Sequence, residues 1–188
     1  DGGTVRVLGE DITNYSEDEL ISIRKRVAYV FQGGALFDSM SVEENLAYPL
    51  LEHTKMSRQD IRKKIQETLL SFGLQGTEKI MPAMLSGGMQ KRVGLARATI
   101  LDPEVILYDE PTAGLDPFNT KKIQDKILDL KAQKKTSILV THDMPTALAV
   151  CDRMVLTVGG MIVAEGTREE IIKGKNKEMQ TFISGEEV

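Results

Sequence analysis

Two adjacent carboxylates, Asp109 and Glu110, close the apolar run Val105-Ile106-Leu107-Tyr108 and are followed at once by Pro111. Such a pair suits divalent-metal and water chemistry, because one group can hold Mg²⁺ while its neighbour orients a water or takes its proton. Upstream lies Ser86-Gly87-Gly88. A serine can cap a helix, and glycines let backbone N–H groups approach an anion where the helix dipole is positive, which is phosphate-binding geometry. Downstream, the run Thr136–Val140 leads into Thr141, His142 and Asp143, a further polar strand end. Singly, each feature is bland: Ser-Gly-Gly is most often a loop, and Asp-Glu before proline a solvated strand end entering a turn. The ordered series is not bland. Leu85-Ser86-Gly87-Gly88-Met89-Gln90, Asp109-Glu110-Pro111-Thr112, Gly114-Leu115-Asp116 and Thr141-His142-Asp143 follow one another in a single chain.

The elements that must position these residues follow from periodicity and end signals. Thr4–Leu8 and the residues after Gly9 read as a peripheral hairpin. Ser16-Glu17-Asp18-Glu19 and Ser41-Val42-Glu43-Glu44 are capping boxes opening helices, the second of which Pro49 is expected to end or bend. Val27–Phe31 reads as a buried strand ending at Gln32, a polar side chain at a strand-end crevice. Ser57 opens a further helix with Ile61, Ile65, Leu69 and Phe72 on one face. After Gln90 the helix continues with Lys91, Arg92 and Arg97 expected on a solvated face, and Met81, Met84 and Met89 expected as gap-filling packing. Pro117 begins the helix that follows Asp116. Met154–Val158 and a hairpin over Gly159-Gly160 are expected to finish the sheet, with a short helix near residues 168–173 and a polar tail. Strands alternating with helices argue for α/β architecture with a mostly parallel sheet.

On these residues the chain resembles the nucleotide-binding domain of ATP-binding-cassette (ABC) proteins over nearly its whole length. The resemblance makes Leu85–Gln90 the signature motif, Val105–Glu110 Walker B, Gly114–Asp116 the D-loop, His142 the switch histidine and Gln32 the Q-loop glutamine. It implies a P-loop NTPase-type (RecA-like) fold with peripheral antiparallel strands. The ATPase core would comprise residues 1–40 and 86–188, and an all-α subdomain residues 41–85. ATP and Mg²⁺ are the implied ligands. Asp109, with Gln32, would hold Mg²⁺; Glu110 would be the general base; His142 would meet the γ-phosphate. Ser86, Gly87 and Gly88 would contact the γ-phosphate of nucleotide held by the second domain of a head-to-tail dimer; Gln32, Gln90 and Asp116 would also bind nucleotide, Asp116 near the seam. The D-loop reads Ala-Gly-Leu-Asp where Ser-Ala-Leu-Asp is common, and no G-x-x-x-x-G-K-[ST] occurs. The Walker A segment is therefore expected to lie outside these residues, at the N-terminal side, and these residues alone are expected to be inactive.

Composition narrows the setting. With 188 residues, 41% hydrophobic and 28% charged, the chain is of the ordinary globular class, and its net charge of −4 gives no basic footprint for nucleic acid. No apolar run approaches the roughly 18 residues that span a bilayer, and no charged-then-apolar leader is expected. Cys151 is the single cysteine, which excludes an internal disulfide and fits a reduced compartment. The expectation is a cytoplasmic protein, peripheral on the inner membrane through a transmembrane permease subunit. Gln32–Met40, Pro49–Thr54 and Leu85–Met89 resemble more narrowly the ATPase subunits of bacterial lipid transporters that work with MCE-domain proteins. The alternative is a soluble ABC ATPase of DNA repair or translation, set back by the short 41–85 insert and the single cassette.

Overall fold

The carboxylates sit at the end of the middle strand of a three-stranded parallel sheet, in a computed structural model that describes residues 2–186. The sheet is ordered β3 (Val27–Val30), β4 (Val105–Asp109), β5 (Thr136–Val140), with Val30 opposite Tyr108 and Asp109 opposite Val140. Every polar strand end named in the sequence therefore emerges at the same carboxyl edge, where open α/β sheets bind ligands. Before the sheet, β1 (Arg6–Val7) pairs with β2 (Glu10–Asp11), and α1 (Glu17–Arg24) starts from a complete Ser16/Glu19 capping box.

Two helices, α2 (Val42–His53) and α3 (Arg58–Ser71), form the insert between β3 and the signature turn. Ser41/Glu44 is again a complete capping box, and Ser57 caps α3. Of the two expected effects of Pro49, an end to the helix is not seen: α2 continues past it to His53. The buried stripe Val42, Leu46 and Leu50 runs past it, and the packing of that stripe outweighs the loss of one backbone donor. A short 3₁₀ turn, Pro82–Met84, leads to α4 (Gly87–Thr99), and α5 (Pro117–Ala132) follows β4. One core joins sheet and helices, with Leu46, Leu69, Val93, Ile106 and Ile123 all essentially sealed from solvent.

After β5 come α6 (Met144–Val150), β6 (Arg153–Val158), β7 (Met161–Thr167), α7 (Arg168–Ile172) and α8 (Lys177–Ser184). β6 and β7 do not finish the parallel sheet; among the described residues they pair only with each other, antiparallel, over a second small core with Met179 of α8. A cavity of about 820 Å³ lies between them and β5, lined by Ile138 and Val140 on one strand and Val155 and Leu156 on the other. The expected polar tail is instead helical: Asn176 caps α8, and Met179, Phe182 and Ile183 turn inward. Met81 and Met84, expected in packing, are exposed. Among the described residues no helix is long and apolar enough to cross a membrane.

Candidate functional site

The signature turn folds as its residues require. Ser86 takes extended backbone angles as the N-cap of α4, and its hydroxyl accepts from the Met89 N–H at 3.3 Å. The Gly87 and Gly88 N–H groups of the first turn have no partner among the described residues. Gln90 does not point there: its carboxamide donates to the carbonyls of Pro82 (2.9 Å) and Leu85 (3.3 Å), holding the segment that leads into the turn.

Asp109 ends β4, and one of its oxygens accepts from the Tyr29 hydroxyl of β3 at 3.0 Å. Glu110 leaves the strand with φ +45°, a left-handed conformation uncommon outside glycine, held in place by its N–H donating to the Val140 carbonyl at 3.0 Å. That turn aims the carboxylate along the sheet edge toward the end of β5. There it accepts from the Thr141 hydroxyl (3.0 Å) and the His142 N–H (3.0 Å), and lies 2.8 Å from His142 Nδ1. Burial works against the charged Glu110, but the hydrogen bonds from His142 and Thr141 prevail and hold its pKa below the ordinary value. The same hydrogen bond raises the pKa of His142, whose ring is otherwise exposed. Asp143 caps α6 and accepts from Thr112, tying the turn after Asp109 to the segment after β5. A second cavity, of about 650 Å³, opens here, lined by Glu110, Gly114, Leu115, His142 and Phe182 among others.

The basic residues of α4 do not form the expected solvated face. Lys91 is half-buried, with its pKa lowered by desolvation, and its ammonium donates to the Ala113 carbonyl. Arg92 is buried and donates to Asn119 at 2.8 Å. Arg97 donates to the Ala35 carbonyl (2.7 Å) and to Asn45 (3.2 Å), while its guanidinium lies over the Phe37 ring. Each cation meets a carbonyl or amide oxygen, which is what makes burial tolerable. Arg97 and the contact of Gly34 with Gly94 also fasten the segment after Gln32 to α4; a Cβ on Gly94 would lie 2.6 Å from the Gly34 Cα.

The structure thus gathers the sequence-derived residues into two groups. Asp109, Glu110 and His142 meet at the edge of β4 and β5, with Gln32 leaving the neighbouring strand two residues beyond Val30. Ser86, Gly87 and Gly88 form the second group with Asp116, the N-cap of α5, through Asn119. Sequence reasoning named Thr141 and Asp143 only within a polar strand end and Lys91 only on a solvated face, and it did not single out Tyr29 or Asn119. Asp143 had a readable signal, since Asp-Met-Pro opens a helix with proline in its first turn. The other four act through partners distant in sequence.

The family model described as ABC transporter matches residues 1–113. The chain belongs to the ABC transporter family. It is 42% identical over 187 residues to the probable ribonucleotide transport ATP-binding protein mkl of Mycobacterium leprae, covering 99% of this chain and 54% of that protein. It is 38% identical over 185 residues to the intermembrane phospholipid transport system ATP-binding protein MlaF of Haemophilus influenzae, covering 98% of this chain and 70% of that protein. Among solved structures, a dimer of the ATP-binding cassette MJ0796 in a post-hydrolysis state with ADP and Pi superposes with a TM-score of 0.81. The identity is 31%, over 89% of this chain and 74% of that one. The chain therefore spans about half the length of the mkl relatives. As an ABC protein it has the P-loop NTPase-type fold, with its parallel sheet and separate antiparallel strands.

Proposed function

We propose that this chain is part of the ATP-binding subunit of an ABC transporter, which hydrolyses ATP as a head-to-tail dimer to drive movement of a phospholipid or related lipid. The observation that carries the reading is the convergence of Asp109, Glu110 and His142 at one sheet edge, with Ser86–Gly88 and Asp116 held as a second, separate group. In hydrolysis, Glu110 is the base that orients water and takes its proton; release of its carboxylate from Thr141 and His142 makes it available. His142 then carries a donor to the phosphate being cleaved. Ser86 and the Gly87 and Gly88 N–H groups serve nucleotide held mainly by the second copy, as groups supplied in trans can. The division into a core of residues 1–40 and 86–188 and a helical part of residues 41–85 follows the same reading.

Among the described residues no three acidic, histidine or cysteine groups cluster as a metal cage. A lone strand-end carboxylate fits an ion held mostly by phosphate oxygens and water, so Asp109, assisted by Gln32, would hold Mg²⁺. When bound, that ion neutralises phosphate charge. Asp109 is held ready by Tyr29.

Partners follow from the same reading: a transmembrane permease, a second copy of this domain and an MCE-domain lipid-binding protein, with the subunit peripheral on the cytoplasmic face of the inner membrane. The lipid assignment rests on the Gln32–Met40 and Pro49–Thr54 segments together with the likeness to a phospholipid transport protein. The test is the full-length subunit reconstituted with its permease in vesicles, with Mg-ATP turnover measured as phospholipid or ribonucleotide is supplied. Stimulation by phospholipid alone is expected. Stimulation by ribonucleotide alone would overturn the lipid assignment, and absence of turnover would overturn the ATPase reading.

A further inference from the structure

We propose that Asn119 is a positioning residue: its carboxamide locks the Asp116 turn to the Gly88 turn of α4, so that the two turns move as one body. The orientation of the amide is fixed by its partners. The Arg92 guanidinium can only donate, so the oxygen faces it, at 2.8 Å; the Asp116 carboxylate can only accept, so the nitrogen faces it, at 2.5 Å. The Asn119 N–H also donates to the other Asp116 oxygen at 2.9 Å. On its third side the amide lies against Gly88, where an added Cβ would fall within 3.0 Å of the amide carbon, oxygen and nitrogen. A side chain at position 88 would have to displace the amide from this place.

The Arg92 end carries the stronger constraint. Arg92 is buried, its Nε has no partner among the described residues, and Asn119 is the acceptor its guanidinium reaches. Leaving that cation without an acceptor exacts the full desolvation cost of a buried charge, so α4 resists separation from Asn119. Lys91, the preceding residue of α4, grips the Ala113 carbonyl, fixing the near end of the same loop while Asn119 fixes the far end. A displacement of Asp116 is thereby passed to Gly88, and the reverse.

The consequence for turnover rests on the ATPase reading above; the lock itself does not, and the experiment separates them. In the full-length protein, Asn119→Asp keeps the size of the side chain and an acceptor for Arg92 but turns the Asp116 contact into a carboxylate pair. Asn119→Leu removes both arms. Amide exchange followed by mass spectrometry is read over residues 86–92 and 112–119. Asn119→Asp should quicken 112–119 severalfold and leave 86–92 unchanged, and Asn119→Leu should quicken both. Faster exchange at 112–119 alone in Asn119→Leu, or unchanged exchange at 112–119 in Asn119→Asp, would overturn the lock. Should Asn119→Leu fail to fold, the Asn119→Asp result decides. In turnover, Asn119→Asp should lower kcat about tenfold, equivalent to about 1.4 kcal/mol, with the nucleotide Kd unchanged. A parallel loss of Kd and kcat, or parental kcat, would show a merely structural side chain. If the parent itself shows no turnover, the ATPase reading falls and the exchange result still judges the lock.

Discussion

His142 holds the Glu110 carboxylate twice, through its backbone N–H at 3.0 Å and its ring Nδ1 at 2.8 Å, both to the same oxygen. A general base held in this way is stored, with its charge already compensated by the residue that follows β5. The pairing has a definite pH signature. His142 binds its proton more tightly folded than unfolded, so its contribution to stability is complete below the ordinary 6.5 and is lost as pH rises through the raised value. Glu110 is shifted the other way. Burial opposes its charge, but its hydrogen bonds lower the pKa, so its contribution is present above the ordinary 4.5 and is lost as pH falls through the lowered value. The pair is therefore strongest between about 4.5 and 6.5. In an NMR titration of the full-length protein, His142 should titrate above 6.5, and Glu110→Gln should bring it back toward that value. A midpoint indifferent to Glu110→Gln would show that the carboxylate and the imidazole do not interact in solution.

Replacing Glu110 by Gln preserves shape and removes the base. Hydrolysis by the full-length protein should fall by about two to four decades while nucleotide affinity persists, because general-base assistance accounts for that range. Single-turnover chemistry and equilibrium binding measured side by side would check this. Parental turnover in Glu110→Gln would move the base role to another residue.

The sequence made the local devices legible. Ser16, Ser41, Ser57 and Ser86 cap helices as their spacing to Glu19, Glu44, Asp60 and Met89 predicts, since a cap and its partner lie within one turn. The strand ends carrying Asp109, Glu110 and His142 were legible for the same reason: each apolar run ends where its polar residue begins. What depended on distant partners was not. Lys91, Arg92 and Arg97 are charged residues on a helix, and only the fold reveals that carbonyls of the 34–35 and 113 segments and the amides of Asn45 and Asn119 await them. β6 and β7 looked like further strands of the sheet because strand signals say nothing about which edge a strand joins. α8 was hidden because its inward residues, Met179, Phe182 and Ile183, are spaced among polar ones in a short segment.

The Gly34–Gly94 contact supplies a stability prediction. A methyl group at Gly94 would lie 2.6 Å from the Gly34 Cα and 2.8 Å from its carbonyl oxygen, both backbone atoms that cannot rotate away. Gly94→Ala should therefore cost about 1–3 kcal/mol, the usual penalty of overpacking, despite the better helix propensity of alanine. Denaturant unfolding of the full-length protein checks the sign. Stabilisation would show that the segment after Gln32 does not press on α4.

The outer edge of β5 gives another. Ile138 and Val140 are exposed, and with Val155 they line the cavity toward β6. An unpaired strand edge with β-branched residues is a template for self-association. Residues 1–188 expressed alone should aggregate, and Val140→Lys should keep them soluble to higher concentration, as light scattering would record. They should also bind Mg-ATP very weakly, since they lack the glycine-rich cradle and lysine that grip β- and γ-phosphates. Micromolar affinity by calorimetry would contradict the placement of the nucleotide.

On the transporter reading proposed above, the segment after Gln32 would carry motion to a permease. Gln32 leaves the sheet edge and the chain runs through Ala35, gripped by Arg97, to Phe37. Asn45 of α2 clamps that segment, accepting from the Phe37 N–H at 2.9 Å and donating to the Phe37 and Met40 carbonyls. A shift at Gln32 is thus delivered to α2 through hydrogen bonds rather than through a loose hinge. Of the apolar residues in this region, Leu36 packs against the core, whereas Phe37 and Tyr48 are exposed by 42% and 43% and meet edge-to-face at 5.2 Å. Two exposed aromatic rings, one braced by Arg97 beneath it, form an anchor of the kind that dominates protein interfaces. In the full-length subunit, Phe37→Ser and Tyr48→Ser should each retain fold and basal ATP hydrolysis yet lose co-purification with the permease. Truncation of an interface anchor costs at least about 2 kcal/mol, roughly thirtyfold in affinity. Leu36→Ser should instead destabilise the subunit itself. If both aromatic variants kept the permease at parental levels, the anchor would lie elsewhere on the surface, and the path from Gln32 through Asn45 would end within the helical insert.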